Sequence, residues 1–485
     1  MYTPLKPLAL ALAGLLLGGC TLAPKYEQPQ VAVPDTFKFD TAQNGIQAAS
    51  LGWQDYFADP RLHRLIEIAL ERNTDLRAAA LNAEEVREQY RISRAALFPT
   101  ISGSGTGTRQ RTAADLGGAG SRISESYSVG LGITGYELDL FGKARSTADA
   151  ALQSYFNSAA TRDSTHLSLI ATVAKAYFNE RYAEESMKLA QSVLKTREKT
   201  YSLSSLKFRA GVLSALDLRQ QEALIATAKA DYESAVQTRE QARNALAVLL
   251  NQPVPDDLPE GLPLDKQFKI DRLPAGLTSD VLLNRPDIRA AEYNLKQANA
   301  NIGAARAAFF PSISLTTSIG TGSTELNRLF KGGNGTWSFA PSISIPIFTW
   351  GNLKASLDAA KIRQQIQVVN YEAAVQSAFQ DVSNALVARE QLEKSYAATE
   401  QQRKAYAEAL RLTNLRYKQG VSSALDLLDA ERSSYSADTA LLANRLTRLE
   451  NMADLYKALG GGLKRHSADS SESEAETRPD DAAQQ

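Results

Sequence analysis

Two long stretches of the chain, residues 143–210 and 352–419, contain neither glycine nor proline, and each is 68 residues long. Because glycine and proline are the strongest helix breakers, both stretches are predicted to be uninterrupted helices of roughly 100 Å, at about 1.5 Å per residue. Apolar residues recur in steps of three and four, as at Ile362, Ile366 and Val369. This spacing is typical of helices that pack side by side as in a coiled coil.

Each long helix is predicted to end at a glycine, Gly211 or Gly420, and a second helix of roughly 40 residues starts directly afterwards. The segments Ser214–Asp217 and Ser423–Asp426 have the S-x-x-D form of a helix-starting capping box. A further helix is expected from about residue 75 to residue 98, where it leads into the first strand region.

Short segments between the helices alternate apolar residues with serine, threonine or glycine, at residues 129–133, 312–315 and 342–347. Glycine- and serine-rich loops are expected at 111–124 and 323–336. A strand that separates lipid from water needs this period of two, and a small soluble sheet with one wet face would show it as well. Aromatic residues near the strand ends would suit an interfacial girdle: Phe98, Tyr136, Phe141, Phe309, Phe310, Trp337, Phe348 and Trp350.

The N-terminus has the pattern of a signal peptide, with Lys6 before an apolar run that ends in Leu17-Gly-Gly-Cys20. That ending resembles the lipobox of bacterial lipoproteins, and Cys20 is the only cysteine of the chain. The resemblance implies a covalent lipid on Cys20, with an N-palmitoyl and an S-diacylglycerol group, and Thr21 in place of aspartate implies the outer membrane. An ordinary cleavage site with an incidental cysteine is the alternative. No other run approaches the roughly 20 apolar residues of a membrane-spanning helix.

The chain is internally duplicated. Residues 75–102 and 287–314 share 12 identities in 28 positions without a gap, and the Gly-Val-x-Ser-Ala-Leu-Asp-Leu segment recurs at an offset of 209 residues. A period this long indicates duplication of a whole unit rather than a short-repeat solenoid. The predicted organisation is a signal peptide (1–19), a lipidated N-terminal segment (20–60), a first repeat (61–270), a second repeat (271–465) and a disordered acidic tail (466–485).

Composition narrows the possible chemistry. Lys+Arg 54 against Asp+Glu 54 gives no net charge, so the positive field of a nucleic-acid-binding protein is absent. Three scattered histidines and one cysteine offer no Cys/His metal site and no disulfide framework. Carboxylate pairs on the helices alternate with basic residues, which is typical of a solvated helix face. We therefore expect no enzyme activity, no catalytic residue, no metal and no cofactor other than the lipid.

Together, the duplicated helix–strand–strand–helix units, the repeated Ala-Ala-x-Phe-Pro at the helix-to-strand junctions and the paired turns resemble the TolC-type outer-membrane factors. The lipoprotein start and the amino-acid sequences of both turns are most similar to the OprM (NodT-type) branch. The resemblance implies a mixed α/β membrane protein. It implies a homotrimer whose three sets of four strands form one 12-stranded outer-membrane β-barrel, continuous with a long periplasmic α-helical barrel.

The resemblance also implies a function and partners. The chain would be the outer-membrane channel of a tripartite multidrug efflux pump, a passive exit duct for drugs and other small toxic molecules in a Gram-negative bacterium. A periplasmic adaptor (membrane fusion) protein and an inner-membrane transporter of the resistance-nodulation-division (RND) type would complete the pump. Two alternatives stay open from the sequence: an exit duct for type I protein secretion, and a non-conducting periplasmic coiled-coil lipoprotein.

Two sets of site residues are predicted at the repeated turns. Adaptor docking is assigned to Gly211, Val212, Gly420 and Val421, because each glycine lacks side-chain bulk beside an exposed valine; the alternative is that the glycines are only helix caps. The resemblance places a periplasmic gate at the other set: Leu425, Asp426, Asp429, Arg432, Asp217 and Tyr417.

Within this gate the resemblance implies stacked carboxylate rings and a latch. Asp426 and Asp429 lie one turn apart on the same helix face and would form rings of three carboxylates in a trimer. Tyr417 would bond Asp217 on a neighbouring helix pair and hold the mouth shut. Ser422 stands where TolC relatives carry an arginine in that latch.

Overall fold

The structure is a computed structural model, which describes residues 21–34, 37, 48–112, 122–270, 273 and 279–467. The predicted signal peptide, the predicted lipid attachment at Cys20, the centre of the first strand loop at 113–121 and the acidic tail beyond Ser467 lie outside the described residues.

The helices of more than ten residues in the described part of the chain are α1 (Pro60–Arg72), α2 (Thr74–Ala95), α3 (Lys143–Arg209), α4 (Ala215–Leu250), α5 (Pro286–Ala307), α6 (Asn352–Lys418) and α7 (Ala424–Ala458). The two longest, α3 and α6, each have 67 residues and are roughly 100 Å long. Their ends agree with the predicted ends to within one residue. None of the described helices combines the length and the apolar character that crossing a membrane requires.

Local sequence explains where these helices start and stop. Asp59 caps α1 by accepting a hydrogen bond from the backbone N–H of Arg61, and Pro60 occupies the first helical position, where its missing N–H costs nothing. At the end of α4, Asn251 adopts the left-handed conformation with φ 50°. Asparagine is one of the few residues that tolerate this conformation, so the helix ends there.

Four strands form one antiparallel meander in the order β1 (Ile101–Thr112), β2 (Arg122–Leu138), β3 (Ser312–Ser323) and β4 (Gly335–Ser344). The strands are longer than predicted because hairpin residues placed in loops are paired, as in Thr112 with Arg122 and Thr321 with Gly335. The predicted strand at 342–347 is wrong at its end. It stops at Ser344, because Pro346 has no N–H to donate to a strand ladder.

The chain divides into two compact units. The first contains the sheet and consists of the described residues of 1–30, 82–158 and 290–372. The second consists of the described residues of 31–81, 159–289 and 373–485.

An aromatic cluster forms the core of the second unit. The rings of Tyr56 and Tyr456 stack with their centroids 4.3 Å apart, and Phe268 packs on Tyr56 at 4.9 Å. The Tyr56 hydroxyl donates to the carbonyl of Met452, and the Tyr456 hydroxyl donates to the carbonyl of Leu51. The apolar rings are therefore buried while both hydroxyls keep hydrogen-bond partners, as buried tyrosines require.

In the first unit an extended segment lies along α5. We call residues 22–28 the N-terminal strap. The backbone carbonyls of Leu22 and Pro24 accept hydrogen bonds from Arg306 (3.0 Å) and Asn299 (2.7 Å) of α5. Because these bonds engage the backbone of the strap, they hold its course along α5 without depending on its side chains.

Candidate functional site

The sheet has two chemically different faces. Antiparallel pairing keeps odd-numbered residues opposite one another, as in Gly103 with Leu131, Leu131 with Ile319, and Ile319 with Trp337. A register shift between Ile133 and Tyr136 then brings even-numbered residues of β2 onto the same face. The apolar members of that face are Ile101, Ile123, Tyr127, Val129, Leu131, Ile133, Tyr136, Leu138, Ile313, Leu315, Ile319, Trp337, Phe339 and Ile343.

The opposite face carries small polar residues. Hydroxyl pairs join neighbouring strands across it, with Oγ–Oγ distances of 2.7 Å for Ser314–Ser342 and for Ser318–Ser338. Gly130 of β2 lies opposite Gly320 of β3, and a Cβ atom at Gly320 would lie 2.4 Å from the carbonyl oxygen of Val129. This face is therefore hydrophilic, and in the middle of the sheet it is built from side chains too small to project far from it.

The apolar face is uncovered in the single chain. The side chain of Ile319 is 68% exposed and that of Trp337 is 80% exposed. Near the hairpin end of β1 and β2, Arg109 and Glu125 form an ion pair on this face at 2.9 Å, with Ile123 beyond them toward the hairpin. Large contiguous apolar surfaces of this kind mark contact with a membrane or another protein.

The two repeated helix turns have the same backbone geometry. Gly211 and Gly420 have φ 74° and φ 73°, in the left-handed region that only glycine adopts freely. The N–H of Val212 donates to the carbonyl of Lys207, and the N–H of Val421 donates to that of Arg416. This six-to-one bond is the Schellman ending of a helix, so the predicted glycine caps are confirmed.

Both turns also present an open apolar surface. No atom lies within 4 Å of a Cβ built on Gly211 or Gly420. The adjacent Val212 and Val421 are 74% and 66% exposed. The helix cap accounts for the glycines but not for the exposure of the valines, so the structure places all four predicted docking residues on an accessible surface.

The helix starts after the turns differ in detail. Before α7 the capping box is complete, because Ser423 accepts from the N–H of Asp426 while the Asp426 carboxylate accepts from the N–H of Ser423. That backbone hydrogen bond lowers the pKa of Asp426 below its usual value. Before α4 only half of the box forms, since the Asp217 carboxylate accepts from the hydroxyl of Ser214 instead.

The other predicted gate residues of α7 lie on its exposed surface. Asp429 and Arg432 form an ion pair at 3.2 Å, with both side chains more than half exposed. Leu425 is exposed as well. Leu425, Asp426 and Asp429 thus lie within about one helical turn of one another, with Arg432 bound to the last of them.

The resemblance pairs Tyr417 with Asp217 across neighbouring helix pairs, and within the described residues of one chain these two side chains have other partners. The Lys207 ammonium lies 5.5 Å from the centre of the Tyr417 ring, a cation–π contact between the ends of α3 and α6. The partner of Asp217 is Ser214, at 2.7 Å.

The sequence analysis missed a nearby ion pair between Arg197 of α3 and Glu431 of α7. Burial raises the pKa of Glu431, and the Arg197 guanidinium opposes that rise. In the first repeat, Glu222 occupies the position 209 residues earlier and bonds the hydroxyl of Tyr201. The repetition of glutamate at both sites was the sequence signal that could have indicated this position. The sequence did not indicate the partners, which are 234 residues from Glu431 and 21 residues from Glu222.

Within the described ranges, no group of three or more histidine, cysteine, aspartate or glutamate side chains is placed to hold a metal ion. The functional features of the described residues are instead the exposed apolar turns, the charged side chains at the start of α7 and the amphipathic sheet.

Amphipathic strands, long helices and repeated open turns define a class of membrane channel. The sequence profile of the outer membrane efflux protein family matches residues 65–252 and 277–461 of this chain, which therefore belongs to that family.

Individual relatives agree over nearly the whole length. The chain is 45% identical over 461 residues to the toluene efflux pump outer membrane protein TtgC of Pseudomonas putida, covering 94% of this chain and 95% of that protein. It is 39% identical over 467 residues to outer membrane protein OprJ of Pseudomonas aeruginosa, covering 95% and 97% respectively. The crystal structure of the open state of the MtrE outer membrane channel of Neisseria gonorrhoeae superposes with a TM-score of 0.87 at 64% identity, covering 93% of this chain and 100% of that one.

The predicted family, fold class and localisation are confirmed by these matches. The chain is the outer-membrane channel component of an efflux pump of a Gram-negative bacterium.

Proposed function

We propose that three copies of this chain form the exit duct of a tripartite RND-type multidrug pump, and that a periplasmic adaptor docks on the repeated turns. The single observation that carries the proposal is the four-stranded sheet, with its apolar face, its hydroxyl face and its two outer edges. In the described residues the outer edges of β1 and β4 have no strand partner within the chain.

Closure into a barrel by identical copies accounts for both the unpaired outer edges and the two chemically different faces of the sheet. Unpaired strand edges bind other strands, and four strands are too few to close a barrel. Twelve strands from three copies remove every edge, turn the apolar face toward lipid and the hydroxyl face toward water. An exposed apolar row on α6, formed by Ile362, Ile366 and Val369, offers a second surface for self-association.

The orientation of the sheet has a direct test in two adjacent residues of β3. Ile319→Lys places a charge on the apolar face, which costs about 2–4 kcal/mol per chain near the centre of a bilayer. Ser318→Lys places the same charge on the hydroxyl face as a matched control. The first variant should lose most of the trimer from the outer membrane and the second should retain it; equal losses would contradict the proposed orientation.

The turns supply the docking surface for the adaptor. A helical hairpin of the partner can approach the backbone at Gly211 and Gly420 closely, because neither has a neighbour in the space of a Cβ atom. The exposed Val212 and Val421 then lose water on contact. Gly211→Trp and Gly420→Trp should weaken crosslinking to the adaptor while trimer yield stays unchanged.

The periplasmic mouth is assigned to the α7 carboxylates. In a trimer, Asp426 and Asp429 become two rings of three carboxylates, with Leu425 as an apolar ring and Arg432 as a bonding partner. Crowded negative charges attract cations, so the closed mouth should prefer cations and be blocked by multivalent ones.

The latch between Tyr417 and Asp217 belongs to the closed state in this proposal. Within one chain Tyr417 contacts Lys207 and Asp217 bonds Ser214, and neither contact uses the other latch residue. Tyr417→Phe combined with Asp217→Ala should then raise the single-channel conductance of trimers that are closed at rest.

A lipid on Cys20 completes the anchoring. Only one residue separates Cys20 from Leu22, where α5 begins to bind the N-terminal strap. An acyl group at Cys20 would therefore be held near the helix that leads into β3.

Drug susceptibility tests the function as a whole. Expression in a Gram-negative host that lacks its own efflux channel, together with a cognate adaptor and RND transporter, should raise the minimal inhibitory concentrations of several drugs. Ile319→Lys is the negative control. If wild-type trimers reach the outer membrane and the drug sensitivity of the host does not change, the efflux assignment is refuted. Protein secretion is then the hypothesis to test.

A further inference from the structure

The charged residues of the apolar sheet face are gathered at one end of the strands. Among the described strand residues, this face carries charge at Arg109, Arg111 and Glu125. All three lie next to the loop that joins β1 to β2, where Arg109 pairs with Glu125 and Arg111 pairs with Ile123. The face is therefore uncharged from the ends that adjoin the helices as far as Tyr127, and it is charged beyond that residue.

The depth of these charges corresponds to lipid headgroups. Leu138 belongs to the apolar face at the opposite end of β2. At about 3.3 Å per residue and a strand tilt of about 40°, the segment from Glu125 to Leu138 rises roughly 33 Å along a barrel axis. The apolar band of an outer-membrane barrel is about 25 Å tall. The pair of Arg109 and Glu125 therefore lies past the far edge of this band.

Contacts within the sheet hold Arg109 on the apolar face without covering it. Its Nε atom lies 2.9 Å from Oε1 of Glu125, and its side chain remains 69% exposed. The Glu125 carboxylate also accepts from the hydroxyl of Tyr127, whose ring lies over the bare backbone of Gly107. Because a guanidinium has several N–H donors, Arg109 can bind this carboxylate and a second anion at the same time.

The hairpin between β3 and β4 carries positive charge at the same end of the sheet. Arg328 forms an ion pair with Glu325 at 3.2 Å, and Lys331 is exposed. The apolar side chains of Leu326 and Phe330 are 64% and 79% exposed beside them. This hairpin thus presents cations together with apolar side chains, a combination that suits the headgroup and upper acyl chains of an anionic lipid.

Closure of the barrel would bring the two hairpins of neighbouring copies side by side. β4 of one copy would pair with β1 of the next, antiparallel like the three strand pairs within the chain. The hairpin ends of these two strands are then neighbours, with Arg328 and Lys331 of one copy beside Arg109 and Arg111 of the next. Among the described residues, four basic side chains would meet two carboxylates at each boundary.

We propose that Arg109 and Arg111 of one copy and Arg328 and Lys331 of the next form a binding site for the phosphate groups of the glycolipid in the outer leaflet. The proposal rests on the proposed function, because it needs three copies in one barrel with the apolar face toward lipid. The opposite ends of the strands adjoin the helices, so the hairpins face the cell exterior in that arrangement.

The chemistry of the four side chains matches a lipid phosphate. Arginine donates two parallel hydrogen bonds to phosphate oxygens, and lysine adds a compact positive charge. Basic clusters next to an apolar membrane surface bind anionic headgroups. The acyl chains of the same lipid would cover the apolar face below the site, which is exposed in the single chain. One lipid molecule would therefore contact two copies of the chain.

Native mass spectrometry of detergent-solubilised wild-type trimers tests this binding. The probes are lipid A, lipid A without its phosphates, and phosphatidylglycerol, each titrated with a chelator present so that no divalent cation links the lipid to a carboxylate. We expect one lipid A per boundary, with an affinity about tenfold above that for either other lipid. Equal affinity for lipid A without phosphates would refute phosphate recognition. Equal affinity for phosphatidylglycerol would refute recognition of the glycolipid.

Paired variants test the residues. Arg109→Gln combined with Arg111→Gln should lower the affinity for lipid A about tenfold. Arg87→Gln combined with Arg91→Gln removes the same charge from exposed positions of α2 and should leave the affinity unchanged. Lys331→Gln, which leaves the described ion pairs of both hairpins intact, should lower it about threefold. Wild-type affinity of the first or the third variant, or an equal loss in the α2 control, would refute the site.

Failure of this proposal and failure of the proposed function give different results. If trimers form and lipid A binds no better than the other lipids, the glycolipid site is refuted and the exit duct stands. If wild-type chains form no trimer, or if Ile319→Lys trimers accumulate in the outer membrane as the wild type does, the lipid-facing barrel itself is contradicted. Should the double variant at β1 not assemble, Arg111→Gln alone keeps the ion pair of Arg109, and wild-type affinity of that variant would overturn the site.

Discussion

Removing the charge of Asp429 should change ion selectivity without disturbing the fold. Asp429 and its partner Arg432 lie 3.2 Å apart, with side chains 59% and 77% exposed. Ion pairs exposed to this degree contribute about 0–1 kcal/mol to stability. Asp429→Asn keeps the shape of the side chain, so the trimer should unfold within a few degrees of the wild type.

The electrostatic effect is larger and depends on salt. In water, one carboxylate about 10 Å from a cation contributes roughly 0.4 kcal/mol of attraction, so a ring of three contributes about 1.2 kcal/mol before screening. An attraction of that size raises the cation concentration near the ring roughly eightfold above that of the bulk solution. A Debye length of about 8 Å at 0.15 M salt reduces the energy to about 0.35 kcal/mol, or less than twofold enrichment. The variant should therefore differ from the wild type most clearly at low salt.

Planar bilayers provide the assay. Reversal potentials across a salt gradient give the cation-to-anion permeability ratio of wild-type and Asp429→Asn trimers, at about 0.01 M and about 0.15 M mean salt. The ratio of the variant should be several-fold lower at the lower concentration and nearly equal to that of the wild type at the higher one. A multivalent cation should also block the variant less strongly.

Asp426→Asn is the instructive comparison. Asp426 lies in the first turn of α7, where its negative charge and its hydrogen bond from the N–H of Ser423 stabilise the start of the helix. That variant should lower both selectivity and stability, whereas Asp429→Asn lowers selectivity alone. Wild-type selectivity of Asp429→Asn at low salt would show that this carboxylate does not face the conduction path, and the gate assignment would have to be abandoned.

Three further predictions concern the fold and the anchor. Asp59→Ala should destabilise the second unit by about 4 kcal/mol in thermal or denaturant unfolding, because the buried hydroxyl of Tyr177 and the amide of Gln267 lose their shared acceptor; an effect below about 1 kcal/mol would contradict this role. Burial raises the pKa of Glu180, so the stability linked to its protonation is present at low pH and is lost as pH rises through the folded-state pKa. Glu180→Gln should consequently raise the unfolding temperature at about pH 7 and leave it unchanged at about pH 3, and a gain of equal size at both would argue against ionisation as the cause. Cys20→Ala with a cleavable signal should abolish metabolic palmitate labelling while the inserted sheet keeps much of the transport activity; label on both proteins would remove the lipid assignment.

Much of the helical architecture could be predicted because its signals are local. The limits of α3 and α6 follow from the absence of glycine and proline inside them and from the glycines that end them. The left-handed angle at Gly211 and Gly420 depends on a few neighbouring residues, so the sequence alone was sufficient to place both turns. Alternation likewise identified the apolar face of the strands, since a period of two is a property of each strand by itself.

Other features depend on residues that are far apart in the chain. Alternation does not tell where a strand ends, and hairpin pairing extended β2, β3 and β4 beyond the predicted segments while Pro346 shortened one of them at its end. The ion pair between Arg197 and Glu431 joins residues 234 positions apart, and no local sequence pattern predicts it. The partners of Tyr417 and Asp217 also emerged only from the folded chain, because a hydroxyl or carboxylate has many possible partners and packing selects among them.

The two segments that lead from the last strand of each repeat into its long helix, residues 137–143 and 346–352, show this division most clearly. The sequence by itself determined that Glu137, Asp139 and Lys143 of the first segment are charged, whereas Pro346, Phe348 and Asn352, 209 residues later, are not. Only the tertiary structure decided that Phe141 packs against Phe310 while Trp350 stays exposed with a left-handed backbone. Residue type sets the free energy of transferring a side chain out of water, but whether that transfer takes place depends on which neighbours the fold brings within contact.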